Sequence, residues 1–260
     1  MDNPQSESFF ARHEFLIRRL HSLSGFIPVG AYMTVHLLTN ATVLGGSEFF
    51  QQQVDQIHKL GPALPVVEWT FIFGPLLFHA LVGVAIMRGI VPNTGNYPYS
   101  SNIRYTLQRV TGMIAMVFIL YHVLQLHHYG HLLLGNNWGV FNAENAAASA
   151  AVAITPWWVT VIYAIGMLSA VFHFANGIWT MGITWGVWIT PAAMQRANWI
   201  CGALGIVLAA AGLGSLVGLH TVKVSDVPAA SHPADETEET QQPAAPGEET
   251  VGQTAAHSAR

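Results

Sequence analysis

Charged residues are scarce in this sequence. Only 9% of its 260 residues are Asp, Glu, Lys or Arg, whereas about a quarter of a typical soluble domain is charged. Hydrophobic residues make up 52% of the chain. The formal net charge of −4 arises largely from acidic residues near the C-terminus, so the rest of the chain has even fewer carboxylates. This composition is typical of a protein that lies in a lipid bilayer.

Cysteine is also nearly absent, since Cys201 is the only one. A single cysteine excludes a disulfide framework within the chain and a cysteine-rich metal site. A cleavable signal peptide is not expected, because residues 1–15 are polar and contain no short apolar run that ends in small residues. We therefore expect membrane insertion to begin with the first hydrophobic helix.

Long apolar segments are what the sequence does contain. A helix needs about 20 apolar residues to cross a hydrocarbon core of about 30 Å. The segments of sufficient length are 20–44, 66–91, 106–129, 157–186 and 199–219. Pro28 and Pro75 lie within two of them, where neighbouring helices can satisfy the interrupted backbone. The sequence therefore predicts an all-α integral membrane protein with five transmembrane helices.

Basic residues near the helix ends predict the orientation, because cytoplasmic loops carry the excess of Lys and Arg. One set of ends carries Arg12, Arg18, Arg19, Arg88, Arg104, Arg109 and Arg196. The opposite set carries Lys59, Lys223 and Arg260. We therefore expect a multi-pass protein of the cytoplasmic membrane, with its N-terminus in the cytoplasm and its C-terminus outside.

The end of the chain differs in composition from the rest. Residues 225–260 are rich in Pro, Ala, Gln, Thr and acidic residues, and such a segment buries too little apolar surface to fold by itself. The sequence predicts two parts, a five-helix transmembrane domain over 1–224 and a disordered acidic tail over 225–260.

Four histidines lie well inside the apolar segments, one on each of the first four: His36, His79, His122 and His173. An ionisable side chain inside a span needs a partner and marks a functional site. For one histidine alone, a hydrogen bond between helices would be an equally good explanation. One histidine on each of four helices favours a shared role instead.

The depth of each histidine, at about 1.5 Å per helical residue, sorts the four into two pairs. His36 and His122 lie about 25 and 20 Å from the cytoplasmic side. His79 and His173 lie about 21 and 25 Å from the opposite side. His36 and His122, the outer pair, therefore share the outer half of the membrane. His79 and His173, the inner pair, share the inner half.

Two levels with two histidines each suit two haems b, because imidazole nitrogen is an axial ligand of haem iron. Zinc fits less well, since its tetrahedral site would need Cys, Asp or Glu ligands at the same depth, and the spans lack them. Gly83 and Gly177 each follow a histidine of the inner pair by four residues. They are expected either to leave room for the flat macrocycle or to help helices pack. We predict that the first four helices form a haem-binding bundle.

Polar residues at the ends of the spans are further candidates. Charged donors form strong hydrogen bonds to carboxylates, so a group at the inner end is a candidate for binding haem propionates or a quinone: Arg18, Arg19, His21, Ser22 and Arg109.

Glu68 lies at the outer end of the second helix and is the only carboxylate within or beside the apolar part of a predicted span. Quinone reduction consumes protons, so Glu68 is the candidate proton-relay residue; the alternative is a solvated acid that the helix dipole favours. A nearby group is interpreted as a solvated rim: His127, His128 and His131. His127 or His128 would replace His122 as a ligand if the helix register differed.

Seven segments in order carry a resemblance to a known family: RRLHSLSGFIPVG at 18–30, VHLLTN at 35–40, PLLFHALVG at 75–83, LQRVTG at 107–112, LYHV at 120–123, FHFANGIW at 172–179 and TWGVWITP at 184–191. From Phe15 to about residue 219, the chain resembles the five-helix, two-haem cytochrome b anchors of succinate:quinone oxidoreductases. It is most similar to the succinate dehydrogenase cytochrome b558 type of Gram-positive bacteria.

This resemblance implies that the outer pair ligates the iron of an outer haem and that the inner pair ligates the iron of an inner haem. It implies two partners, a flavoprotein subunit that oxidises succinate and an iron–sulfur subunit on the cytoplasmic face. The expected electron path runs from the iron–sulfur subunit through both haems to quinone. The chain is then a subunit of respiratory complex II, in the tricarboxylic acid cycle, without dehydrogenase activity of its own.

Three alternatives differ in what they would do. A quinol:fumarate reductase anchor would use the same relay in reverse. A dihaem cytochrome of another membrane dehydrogenase, such as a hydrogenase or formate dehydrogenase, would have a different arrangement of histidines. A transporter would contain no haem, and its usual repeat symmetry and paired broken helices are not evident in the sequence.

Overall fold

Every regular element of residues 12–88 and 94–223, which the computed structural model describes, is a helix. Five helices are long and apolar enough to cross a membrane: Glu14–Gly45, Gly61–Met87, Ser100–Leu126, Trp157–Thr184 and Pro191–Thr221. These are the first to fifth spans. They confirm the prediction of an all-α integral membrane protein with five transmembrane helices. The predicted boundary between the domain over 1–224 and the tail over 225–260 lies outside the described residues.

The bounds of the spans differ most from the prediction at the start of the fifth. That helix begins at Pro191, not at residue 199. The Thr190 hydroxyl accepts a hydrogen bond from the backbone N–H of Ala193 at 3.2 Å, and proline suits the first helical position. Hydropathy alone did not include this first part, because Gln195 and Arg196 are polar.

Two spans contain a π-helical segment beside a proline. In the first span the segment Gly25–Gly30 includes Pro28. In the second span the segment Trp69–Phe73 immediately precedes the helix that contains Pro75. Proline lacks the backbone N–H, and its ring clashes with the carbonyl four residues earlier. The wider π turn accommodates the ring, and both spans therefore continue through their prolines.

Three short helices lie in the connections at the predicted outer end: Ser47–His58, His128–Leu134 and Ala146–Ile154. Seven of the nine residues of Ala146–Ile154 are buried, and this helix packs in one cluster with Val43, Tyr163 and Leu216. The connection between the third and fourth spans therefore forms a packed layer over this end of the bundle.

The fourth span lies at the centre of the bundle. It packs against the third and fifth spans, the fifth also packs against the first, and the first packs against the second. Leu37, Met167 and Leu208 are buried together where the first, fourth and fifth spans meet. The fifth span therefore supports the first and fourth spans from the side that faces away from the second.

Candidate functional site

The structure brings together the same two pairs of histidines that depth along the helices selected. The ring centres of the outer pair, His36 and His122, are 5.8 Å apart, with an angle of 77° between the rings. The ring centres of the inner pair, His79 and His173, are 6.1 Å apart, with an angle of 82°. Each pair joins two different spans.

The two pairs lie at different levels of the bundle. Gly112 contacts the ring of His173, and His122 follows ten residues later on the same helix. Ten residues of α-helix correspond to about 15 Å. On the first span, Gly25 contacts the ring of His79 and His36 follows eleven residues later, or about 16 Å. Two helices therefore give the same separation between the pairs.

Both rings of the inner pair are held by a neighbouring helix in the same way. The Nδ1 of His79 lies 2.9 Å from the backbone oxygen of His21, and the Nδ1 of His173 lies 2.8 Å from that of Gln108. In each case the residue four positions after the carbonyl is a glycine, Gly25 or Gly112. A Cβ on Gly112 would lie 2.7 Å from His173, and a Cβ on Gly25 would overlap His79.

These hydrogen bonds fix which nitrogen of each inner ring carries the hydrogen. A carbonyl oxygen only accepts, so Nδ1 of both His79 and His173 is the donor and the lone pair is on Nε2. Histidines that ligate a metal almost always donate their other ring N–H to such an acceptor. The inner pair therefore has the tautomer and the support expected of two metal ligands.

The outer pair has a different support. The Nδ1 of His122 lies 3.4 Å from the hydroxyl of Tyr163, and that hydroxyl donates to Oε1 of Gln125 at 2.8 Å. Because its hydrogen is used for Gln125, the Tyr163 oxygen is the acceptor for His122. The ring of His36 stacks on that of Tyr32, with their centres 5.5 Å apart.

The spacing of both pairs fits two imidazoles on opposite sides of one metal. An imidazole nitrogen lies about 2 Å from a metal that it ligates, and the ring centre lies about 1 Å beyond it, which places the two ring centres about 6 Å apart. Among residues 12–88 and 94–223, no group of three or more His, Cys, Asp and Glu side chains lies close enough to hold a metal ion. Two imidazoles from different helices are the donor set of a bis-histidine haem.

A cavity of about 530 Å³ adjoins the inner pair. This volume is within the range of about 300–1,000 Å³ that is usual for cofactor sites. The residues predicted to bind propionates or a quinone all line it: Arg18, Arg19, His21, Ser22 and Arg109. Nη1 of Arg19 and Nε of Arg109 are buried without a hydrogen-bond partner. Because buried cations need anionic partners, the cavity fits a ligand that carries carboxylates.

Individual residues of this group have different surroundings. His21 stacks on His79, with ring centres 4.1 Å apart and an angle of 9°, so it lies closer to the inner pair than its rim position predicted. Ser22 accepts a hydrogen bond from Nε1 of Trp185 at 3.0 Å. Arg18 forms an exposed ion pair with Glu14, whereas Arg19 packs its guanidinium over the ring of Trp185.

A polar network surrounds His173. Nε2 of Gln108 donates to the backbone oxygen of His173 at 3.0 Å, and Oε1 of Gln108 accepts from Asn176 at 2.7 Å. Oδ1 of Asn176 accepts from Nε and Nη2 of Arg104 at 2.9 and 2.6 Å. Nη1 of Arg104 then donates to Asn198 on the fifth span at 2.8 Å. The network joins the third, fourth and fifth spans beside one histidine of the inner pair.

Glu68 lies at the other end of the bundle, where its Oε2 is 3.6 Å from Nε2 of His127. Trp69 donates to the hydroxyl of Tyr129 at 2.8 Å, so two neighbouring contacts join the second span to the start of the helix His128–Leu134. His127 was predicted to be part of a solvated rim, but its side chain is only 22% exposed. The structure places His122, and not His127, beside His36.

Sequence reasoning missed the residues that hold the inner rings. It selected Gly83 and Gly177, which line the cavity, but not Gly25 and Gly112, which contact the rings. A signal was present, because HSLSG at 21–25 and QRVTG at 108–112 each end in a glycine. That glycine lies four residues after the carbonyl that accepts the hydrogen bond from the histidine ring. The contact between Glu68 and His127 has no local signal in the sequence.

Comparison with known proteins shows a similarity that covers most of the chain. No protein-family model matches the sequence. The chain is 34% identical over 203 residues to the succinate dehydrogenase cytochrome b558 subunit of Bacillus subtilis strain 168. The alignment covers 78% of this chain and 96% of the relative, so the similarity extends far beyond the histidines and their neighbours.

Proposed function

Because the chain belongs to the family of succinate dehydrogenase cytochrome b558 subunits, we propose that it anchors a succinate:quinone oxidoreductase in the membrane and transfers electrons from an iron–sulfur subunit to quinone. It is a multi-pass membrane cytochrome b. In the proposed complex, a separate flavoprotein subunit oxidises succinate. This chain performs electron transfer and takes part in quinone reduction, without the dehydrogenase step.

The observation that carries the proposal is the presence of two imidazole pairs at two levels of the bundle. His36 and His122 would hold the outer of two haems b, and His79 and His173 the inner one. Haem supplies an iron that gains and loses one electron, with a potential that depends on the axial ligands and their surroundings. The chain contributes the positions, the tautomers and the apolar environment of the ligands.

The buried guanidinium groups support the same proposal at the inner end. Arg19 and Arg109 each have a buried nitrogen without a hydrogen-bond partner, and both line the cavity beside the inner pair. We assign them to the propionates of the inner haem, because charge-assisted hydrogen bonds from Arg to a carboxylate are strong. Arg18, His21 and Ser22 line the same cavity and would complete this polar end.

The inner end is also where the partner subunits would bind. We infer that the chain lies in the cytoplasmic membrane with its N-terminus in the cytoplasm, because most of its Arg residues lie at that set of helix ends. The iron–sulfur subunit would dock on this basic face, near the inner pair. The name of the relative favours succinate oxidation over fumarate reduction as the physiological direction.

The outer end is the proposed site of quinone reduction, with Glu68 as its proton-relay residue. The quinone takes up two protons with two electrons, so an ionisable side chain close to the outer pair is needed. Glu68 interacts electrostatically with Tyr32, whose ring stacks on that of His36. The Glu68 side chain is 20% exposed, and in the proposed orientation this exposed part would face the outer aqueous phase.

Replacement of each ligand histidine by alanine tests the proposal. We expect His36→Ala and His122→Ala to abolish one haem signal, and His79→Ala and His173→Ala to abolish the other. The measurement is the reduced-minus-oxidised absorption spectrum of the assembled complex, with haem quantified per complex.

His128→Gln is the matched control, since it also removes an imidazole from the third-span region but should retain both signals. A complex in which the four variants lose haem in any other grouping would contradict the assignment. A complex whose unaltered form shows no haem reduction by succinate would contradict the proposed function itself.

A further inference from the structure

His127 occupies a break between two helices. The third span ends at Leu126 and the next helix begins at His128, so His127 alone has an extended backbone, with φ −77° and ψ 146°. The ring lies among Phe73 of the second span, at 5.3 Å between centres, and Tyr129, at 4.5 Å.

The hydrogen bonds of His127 determine its tautomer. Its Nδ1 accepts from the backbone N–H of Tyr129 at 3.4 Å and caps the helix that follows. An accepting Nδ1 has no hydrogen, so in the neutral ring the hydrogen is on Nε2. Nε2 is the atom that faces Oε2 of Glu68, at 3.6 Å. The nitrogen that carries the hydrogen is therefore the one nearest the carboxylate.

The surroundings of the pair keep both side chains partly away from water. The side chain of His127 is 22% exposed and that of Glu68 is 20% exposed. Burial lowers the pKa of His127, the neighbouring His128 lowers it further, and Glu68 opposes the shift. The titratable groups that face the pair are His128, Tyr129 and, through its interaction with Glu68, Tyr32.

We propose that His127 and Glu68 act as one proton-delivering pair for quinone reduction at the outer end, with His127 as a second proton-relay residue. This inference rests on the proposed function. The electron pair comes from succinate through the subunits of the complex. Glu68 in its carboxyl form donates a proton to the reduced quinone and one O–H bond forms. The Glu68 carboxylate then takes a proton from the His127 imidazolium, which has received it from the outer aqueous phase, and a second round forms the second O–H bond.

The pairing has a physical reason. A lone carboxylate that is only 20% exposed would depend on occasional contact with water for each new proton, whereas an imidazole 3.6 Å away is a second group that can carry the proton to it. General acid catalysis of this kind contributes about 10²–10⁴-fold to a rate. Because burial lowers the pKa of His127, its protonated ring is a stronger acid and passes its proton on to the Glu68 carboxylate 3.6 Å away.

The test uses the whole complex with His127→Gln, Glu68→Gln and the double variant, assayed with succinate and a water-soluble short-chain quinone between about pH 5.5 and 8.5, a range that spans the usual pKa of histidine. We expect each single variant to lower quinone turnover by at least about tenfold at neutral pH, within the range of general acid catalysis. We expect the double variant to be little worse than either single one, because the two residues act as a unit.

Two further readouts separate proton delivery from a structural role. Turnover of His127→Gln should rise as the pH falls, because solvent protons replace the missing relay, while the quinone KM changes little. In the infrared redox difference spectrum, the carboxyl band that disappears in Glu68→Gln should move in His127→Gln. His131→Gln, at an exposed position of the helix His128–Leu134, is the matched control and should retain the turnover, the pH profile and the band of the unaltered complex.

The outcomes that overturn the inference are distinct from those that overturn the proposed function. Normal turnover and an unchanged pH profile in His127→Gln, with haem reduction by succinate intact, would refute the pair alone. An equal loss in His127→Gln and His131→Gln would refute it as well. Failure of succinate to reduce the haems of the unaltered complex would refute the proposed function and this inference together.

Discussion

Single atoms determine how closely the helices approach the inner pair. Gly25 and Gly112 have no Cβ, and the rings of His79 and His173 occupy the space that a Cβ would fill. Four residues earlier on each helix, a backbone carbonyl accepts the Nδ1 hydrogen of the same ring. A substitution of His21 or Gln108 would leave these carbonyls in place, whereas a substitution of either glycine would displace the ring that they hold.

Gly112→Ala should therefore disturb the inner pair and leave the outer pair intact. The added Cβ would lie 2.7 Å from Cε1 of His173, and in a well-packed interior such an overlap costs about 1–3 kcal/mol. We expect loss of, or a spectral shift in, one haem signal, the same one that His173→Ala removes. The measurement is the reduced-minus-oxidised spectrum, with haem quantified per complex.

The matched control is Gly202→Ala on the fifth span, where nothing lies within 4 Å of the new Cβ. It should keep both signals. Two normal haem signals in Gly112→Ala would contradict the close contact between Gly112 and the ring of His173.

At the scale of helices, the third and fourth spans are joined beside His173 by side chains as well as by packing. Asn176 is 6% exposed and bonds to both Gln108 and Arg104. Arg104 in turn bonds to Asn198 and packs over the ring of Trp179, 4.0 Å from its centre. A buried polar network of this kind requires all its members to be satisfied.

Asn176→Ala should destabilise this junction. It removes the acceptor of two Arg104 hydrogen bonds and the donor to Gln108, and a buried group left without a partner costs about 1–3 kcal/mol. We expect a lower temperature for loss of the haem signal on heating and a change in the midpoint potential of only one haem. The measurements are thermal denaturation followed by haem absorbance and a redox titration.

Asn137→Ala, at an exposed position of the connection between the third and fourth spans, is the control and should change neither quantity. Equal shifts in the potentials of both haems would argue against a local role for the network beside His173.

A contact is predictable from the sequence when depth in the membrane determines it, and not when the rotation of a helix about its axis does. The pairing of His79 with His173 followed from helix rise alone, because membrane helices cross one layer of fixed thickness. The start of the fifth span at Pro191 did not follow from hydropathy, because Gln195 and Arg196 make the first turns of this helix polar. The contacts of His127 with Glu68 and of Gly112 with His173 depend on the rotation of each helix about its axis, which packing determines and a single sequence does not show.

At the scale of the whole molecule, orientation decides which aqueous phase would supply the protons of the proposed quinone reduction. The Arg19 and Arg109 end is predicted to face the cytoplasm, and the Glu68 and His127 end the outside. The two ends also differ in construction. The Arg end has an open cavity, whereas the opposite end has the packed layer formed by the short helices.

Labelling of single cysteines tests this orientation. Cys201 is buried, so after Cys201→Ser a cysteine placed at exposed Gln52 or exposed Asn96 would be the only thiol. In right-side-out vesicles, a membrane-impermeant maleimide should label Gln52→Cys directly. It should label Asn96→Cys only after permeabilisation. Labelling in the reverse order would place Glu68 and His127 in the cytoplasm, and quinone reduction would then draw its protons from the same side on which succinate is oxidised.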